Sequence, residues 1–258
     1  VKPRVALVTG GGRGIGRAIA LRLARDGLTV VIAARTLEQV EAAAAAARET
    51  GARALALGLD VTDPASIASA VQRAAGELGA IDVLVNNAGI AASAPLARTD
   101  PALWERHLSV NVTGPYLLAQ AVLPGMLERG WGRVINVASL AGLLGAPYVT
   151  AYTASKHALV GFTRALATEV AGKGVTVNAL CPGFVATDMA WNGARNIVAK
   201  TGRSFEDAVQ ALADMNPGGR LIEPDEVAEA AAALVGDAVT NGQCIVLDGT
   251  RPRKGAHA

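Results

Sequence analysis

Tyr152 and Lys156 stand four residues apart in the run YTASK, with Ser139 thirteen residues upstream of the tyrosine. Residues at that spacing share a face of a helix, so a helix over about 150–171 would set the phenol and the ammonium side by side. A fixed positive charge beside a phenol favours the phenolate and is expected to lower the tyrosine pKa from its free value of about 10. The pair would then act as a proton donor or acceptor near neutral pH, with the Ser139 hydroxyl polarising a carbonyl. A Tyr/Lys pair by itself is commonly a surface contact. Its meaning depends on the elements that carry it.

The first of these lies at the N-terminal end of the sequence. Residues 4–9 (RVALVT) read as a short buried strand running into Gly10-Gly11-Gly12-Arg13-Gly14-Ile15-Gly16. A helical pattern follows, with Ile15, Ile19 and Leu23 on one face. A glycine turn between strand and helix lets the backbone approach a pyrophosphate, and the helix N-terminus offers free N–H groups and a favourable dipole. In that context the glycines point to a dinucleotide.

The rest of the chain is compatible with a large aliphatic core: of 258 residues 51% are hydrophobic and only 3% aromatic. Strand-like runs fall near 4–9, 28–34, 53–58, 81–85, 132–138, 174–179 and 243–247, and helical runs near 14–26, 36–49, 64–77, 101–129, 150–171, 205–214 and 224–236. This alternation predicts an α/β fold with one parallel sheet covered on both faces. The alanine run at 42–47 is a good helix former and needs no functional account.

Several function classes are disfavoured. A net charge of +2 is too mild to argue for nucleic acid, and the basic end at 251–254 reads as a solvated tail. No apolar run of about 18 residues marks a membrane span, and the N-terminal run lacks a signal-peptide layout, which leads to the expectation of a cytoplasmic protein. Cys181 and Cys244, distant in sequence, read as core hydrophobes, and His107, His157 and His257 form no metal-like cluster, so a metal-free site is expected.

Taken together, TGGGRGIG (9–16), Asp60 in LDVTD, NNAG (86–89), Asn111 in SVNVTG, Ser139 in NVASLAG, YTASK (152–156) and PGFVATDM (182–189) resemble the classical short-chain dehydrogenases/reductases in order and spacing. In pattern the chain is most similar to the 3-oxoacyl-thioester and polyketide ketoreductases. The resemblance covers residues 4–248. It implies a single Rossmann-type doubly wound sheet of about seven strands over residues 1–250, including a substrate lid near 187–216, with a basic tail at 251–258. It also implies that Tyr152 is the acid/base, that Ser139 orients the carbonyl, and that Lys156 holds the nicotinamide ribose. Asn111 would bind, through its backbone, a water linking Lys156 to solvent. Gly10, Gly14, Ile15 and Gly16 would form the pyrophosphate turn, Asp60 and Val61 would sit by the adenine, and Asn87, Ala88 and Gly89 would back the ribose. Pro182, Gly183 and Thr187 would contact the nicotinamide end, while Asn86 mostly fixes strands in this pattern.

Charge then favours NADP(H), with NAD(H) as the alternative. An acid ending the second strand would accept the 2′-hydroxyl of NAD, but here that strand ends in Ala34 followed by Arg35, and Arg13 is available from the glycine turn. The expected pocket walls, 90–96 and 140–148, are small and apolar, suited to an uncharged acyl chain or ring. Arg195, Lys200 and Arg203 on the lid, and Arg129 with Lys173 elsewhere, are basic residues that could meet coenzyme A or an acyl carrier protein. The function expected is NADPH-dependent reduction of a 3-oxoacyl thioester or similar small-molecule ketone, in a homotetramer. The alternatives are an NAD-linked secondary alcohol or 3-hydroxyacyl-CoA dehydrogenase and a non-catalytic dinucleotide sensor. The last has no use for Ser139, Tyr152 and Lys156 together.

Overall fold

The computed structural model describes residues 3–250; the expected basic tail at 251–258 lies outside them. Strands β1 (Val5–Thr9), β2 (Thr29–Ala34), β3 (Ala54–Gly58), β4 (Ile81–Asn86), β5 (Gly132–Val137), β6 (Val175–Pro182) and β7 (Cys244–Leu247) form one sheet in the order β3-β2-β1-β4-β5-β6-β7. Every pairing is parallel. The sheet therefore needs crossovers, and helices supply them on both faces.

The crossovers are α1 (Gly14–Arg25), α2 (Leu37–Arg48), α3 (Pro64–Leu78), α4 (Pro101–Leu108), α5 (Gly114–Glu128), α6 (Thr150–Glu169), α7 (Asp188–Thr201), α8 (Phe205–Asp214) and α9 (Pro224–Gly236). Side-chain alternation along the strands divides the core in two. Ala6, Val8, Val30 and Ile32 pack with residues of α1, α2 and α9, while Val5, Leu7, Val31 and Ala33 pack with α3, α5 and α6. The alanine run lies in α2, where Ala43, Ala44 and Ala47 are fully buried and let the helix sit close on the sheet.

Two elements differ from the sequence expectation. The helix expected over 101–129 runs unbroken from α4 into α5 but carries a π-helical turn, Ser109–Thr113, between them. The segment after Thr187, read only as a lid, contains α7, which ends on Gly202 at φ +71. Strand order reverses at the β1/β4 junction. In such sheets that crevice, at the carboxyl ends of the strands, is where ligands bind.

Candidate active site

Thr9 ends β1 and ties the crevice together. Its hydroxyl donates to the Val85 carbonyl at 3.3 Å and accepts from the N–H groups of Asn87 and Ala88, each at 3.0 Å. Asn87 returns the contact, donating from Nδ2 to the Thr9 carbonyl at 2.8 Å. These bonds fix NNAG against the glycine turn. The turn needs glycine where φ is positive, at Gly10 (+62°) and Gly14 (+52°), and at Gly16, where a Cβ would overlap Asn87 Nδ2 and the Gly10 carbonyl. No side chain caps the first turn of α1, and Arg13 at its N-cap is extended. Uncapped N–H groups behind two positive-φ glycines fit a pyrophosphate, which would complete the helix end. Ile15, half-buried, and Gly16, buried, form that first turn.

The groups expected at the two ends of a dinucleotide flank this turn. Arg35 is exposed just beyond β2 and acts on Asp60, whose carboxyl is held low first by hydrogen bonds from Thr62 and then by the Arg35 charge. Val61, beside it, is buried. At the other end Thr187 lies against Gly14, and Pro182 closes β6 with Gly183 donating to the Leu247 carbonyl at 2.9 Å. Arg13 does not stand free for a phosphate: its guanidinium pairs with Asp188, the first residue of α7, at 3.3 Å. A carboxylate the sequence reading left out of account thus competes for one of the two arginines.

The chemistry-bearing cluster lies beyond β4 and β5. Tyr152 and Lys156 share a face of α6, and the hydroxyl of Ser139, which caps the 3-10 turn Leu140–Gly142, acts on the Tyr152 phenol to favour its ionised form. Lys156 is 5% exposed; its ammonium donates to the Val137 carbonyl at 2.8 Å and lies 5.8 Å from the centre of the Tyr152 ring. Asn111 sits in the π turn, fully buried. Its Nδ2 donates to Ser155 Oγ and to the Ile90 carbonyl, each at 3.0 Å, and its Oδ1 accepts from the Ile90 N–H at 2.9 Å. A Cβ on Gly89 would be 3.3 Å from Asn111 Oδ1 and 3.6 Å from Lys156 Nζ, so glycine lets NNAG approach both. Asn86 lies deeper, donating to Asn136 Oδ1 at 2.9 Å between β4 and β5.

The electrostatics correct the expectation drawn from the Tyr/Lys spacing. Burial raises the Tyr152 phenol above its usual value of 10, only partly offset by the Ser139 hydrogen bond. Burial lowers Lys156 to about 8. Spacing placed the two groups together but said nothing of the Val137 carbonyl that takes the ammonium, nor of the shared desolvation. In this arrangement the phenol is a protonated donor at neutral pH.

Two further expectations change, and the reading of the cysteines as core hydrophobes holds. Arg129 is tied down, donating to the Ile81 carbonyl at 2.8 Å and pairing with Asp82 at 3.3 Å, whereas Lys173 is exposed. On the lid, Arg195 donates to Asn192 Oδ1 at 2.6 Å. Cys181 and Cys244, distant in sequence, meet across β6 and β7 as free thiols, and burial pushes Cys181 up to about 12.

Thr9, Ser155 and Asn216 escaped the sequence reading. Asn216 anchors the far end of the lid, accepting from the Phe184 N–H at 2.8 Å and donating to the Arg220 carbonyl at 2.6 Å. Among the described residues no group of His, Cys, Asp and Glu could hold a metal, and no helix is long and apolar enough to cross a membrane.

Comparison with known proteins gives one family: the short chain dehydrogenases match residues 4–197. The 3-oxoacyl-acyl-carrier-protein reductase FabG of Vibrio harveyi is 40% identical, over 90% of this chain and 89% of that protein. The 2-(S)-hydroxypropyl-CoM dehydrogenase 3 of Xanthobacter autotrophicus is also 40% identical, over 96% of each chain. Among solved structures, an actinorhodin polyketide ketoreductase variant with NADPH superposes at a TM-score of 0.92, with 39% identity over 96% of both chains.

Proposed function

The chain belongs to the short chain dehydrogenase family, an oxidoreductase acting on CH–OH groups, and from that premise we propose an NADPH-dependent ketoreductase for a 3-oxoacyl thioester or similar ketone. One observation carries the reading. The segment 86–89 joins the two halves of the site, Asn87 bonding to Thr9 at the uncapped glycine turn while Gly89 approaches Lys156 of the Ser139/Tyr152/Lys156 cluster.

A bound nicotinamide supplies the hydride for the carbonyl carbon. The uncapped turn at Gly10, Gly14, Ile15 and Gly16 would hold its pyrophosphate, Asp60 and Val61 its adenine, and Asn87, Ala88 and Gly89 its ribose side. Pro182, Gly183 and Thr187 would line the nicotinamide end. Ser139 donates a hydrogen bond to the carbonyl oxygen, where negative charge develops. Tyr152 transfers its phenolic proton to that oxygen, leaving a phenolate that the Lys156 ammonium stabilises. Asn111 lies in a π turn, where the helical bonding is interrupted, and we assign its backbone to the water that resupplies the proton. The preference for NADPH rests on Arg35 and on the absence of a carboxylate at Ala34.

The polar arm of the substrate, coenzyme A or an acyl carrier protein, would approach over the lid and Lys173. A cytoplasmic location, where adjacent thiols such as Cys181 and Cys244 stay reduced, and a homotetramer belong to the same proposal. An NAD-linked alcohol dehydrogenase is the second reading, favoured by the hold of Asp188 on Arg13.

Steady-state assays with acetoacetyl-CoA and a cyclic diketone test the proposal. NADPH is expected to exceed NADH by about tenfold in kcat/KM, as a charge-selected 2′-phosphate requires. Tyr152→Phe should abolish turnover while NADPH still binds. A tenfold preference for NADH, or turnover surviving in Tyr152→Phe, overturns it.

A further inference from the structure

The loop leaving β4 is pinned through alternate N–H groups. Ile90 donates to Asn111 Oδ1 at 2.9 Å, Ala92 to His107 Nε2 at 3.2 Å, and Ala94 to the Tyr148 carbonyl at 2.7 Å. This spacing of two is that of one edge of an extended chain. Asn111 is part of the chemistry proposed above, and Tyr148 contributes only backbone. His107 is a fully buried imidazole that the chemistry does not use.

Its bonding dictates its state. A backbone N–H can only donate, so Nε2 must present a lone pair to Ala92. The ring proton is then on Nδ1, which donates to the Leu103 carbonyl at 2.8 Å, one turn back along α4. Both nitrogens are spent, the imidazole is neutral, and its ring packs against that of Tyr152, with centroids 6.4 Å apart and planes at 72°. A buried histidine satisfied within its own helix would be ordinary core. His107 differs because one of its two bonds crosses to the wall of the ketone pocket, and its ring packs on that of the proton donor.

We infer that His107 is a positioning residue for the ketone: through Ala92 it fixes the 90–96 wall, and through its ring contact it sets the Tyr152 phenol. An aliphatic side chain could fill the same volume and pack on Tyr152, but it would leave Ala92 unheld. The inference rests on reading Tyr152 and this loop as a carbonyl-reducing site.

The test compares wild type, His107→Leu and His107→Gln with NADPH and a ketone the wild type reduces, alongside amide exchange at Ala92 and ¹⁵N NMR of the wild-type imidazole. His107→Leu should raise the ketone KM about tenfold with the NADPH KM within about twofold, since a loosened wall costs substrate orientation and spares the cofactor turn. His107→Gln, whose amide oxygen can accept from Ala92, should return the ketone KM to within about threefold of wild type. Ala92 should exchange faster in His107→Leu only. In wild type, NMR should show Nδ1 protonated and Nε2 bare. An unchanged ketone KM in His107→Leu, ketone and cofactor KM rising together, or a protonated Nε2 each overturns the inference, and the last stands even where the leucine variant does not fold. A wild type that reduces no ketone would sink the ketoreductase reading instead; the NMR and exchange would still judge the clasp.

Discussion

In the proposed site, backbone forms the cofactor wall at the turn after β1, whereas side chains form the substrate wall around 90–96, 140–148 and the start of α7. The first wall is made by positive-φ glycines, uncapped N–H groups and the Thr9 and Asn87 bonds that lock two strand ends together. The second exposes large apolar groups: Leu96 at 72%, Leu144 at 62%, Tyr148 at 64% and Met189 at 50%. A backbone wall tolerates almost no change, because an added Cβ meets main chain. A side-chain wall can be rewritten with little cost to the fold. One scaffold can therefore hold a constant cofactor and a variable ketone.

The sharpest break falls on the backbone side. Gly16→Val places a Cβ into Asn87 Nδ2 and the Gly10 carbonyl, neither of which is the loose end of a flexible side chain. NADPH affinity, read by nicotinamide fluorescence, should fall by about a hundredfold or more, equivalent to at least about 3 kcal/mol. The melting temperature should fall with it. Near-normal NADPH binding in this variant would show that the wall is not backbone-built.

Lys156 stands where the two walls meet. Burial lowers it from 10.5 to about 8, so between those values the unfolded chain holds more protons than the folded one. Stability must then rise with pH from about 8 to 10, and below 8 the buried ammonium costs on the order of 3 kcal/mol. Above 10 the raised Tyr152 acts in the opposite direction, because the folded state then retains the extra proton. Lys156→Met removes that penalty but leaves the buried Val137 carbonyl without its charge-assisted bond, a loss of about 2 kcal/mol. It should be inactive yet more stable than wild type at pH 7 by about 1 kcal/mol in urea unfolding, with the rise between pH 8 and 10 gone. A less stable variant with the slope unchanged would refute the cost assigned to burying this charge.

The same contrast explains what could be read from sequence. β1, β2 and β3 are nearly continuous Val, Ile, Leu and Ala runs and β4 to β6 are rich in them, because a parallel sheet is buried on both faces, and the glycine turn declares itself by composition. The π turn at Ser109–Thr113 leaves no mark in the apolar period. α7 lacks a side-chain cap at Thr187 and mixes polar with apolar residues, so it passed for irregular lid. Nothing around His107 in the sequence marks it beyond the lack of a metal-like cluster, because the Ala92 N–H that donates to it comes from a loop fifteen residues upstream. The Tyr152 shift had the wrong sign because helical spacing reports proximity, while the Val137 carbonyl and the burial belong to the tertiary fold. The meeting of Cys181 with Cys244 likewise follows from the register of β6 on β7.

The gentlest test lies on the side-chain wall. Tyr148, four residues before Tyr152, is the non-glycine residue with positive φ among the described residues, at 65°. A bulky residue there costs about 1–3 kcal/mol, and glycine would adopt the same conformation freely. Against this, glycine adds about 0.5–1 kcal/mol of unfolded-state entropy, so Tyr148→Gly should gain about 1 kcal/mol and a few degrees in melting temperature. The carbonyl that receives Ala94 is main chain and survives the change. What is lost is an exposed ring on the 140–148 segment proposed to wall the substrate. The KM of a cyclic diketone should therefore rise by about three- to tenfold, the loss of one aromatic contact, while NADPH kinetics stay unchanged. A variant that gains stability with every ketone unaffected would mean the strain serves no substrate; one that loses stability would mean the ring is packed. The expected pair, higher stability with weaker ketone binding, is what separates a wall of side chains from a wall of backbone.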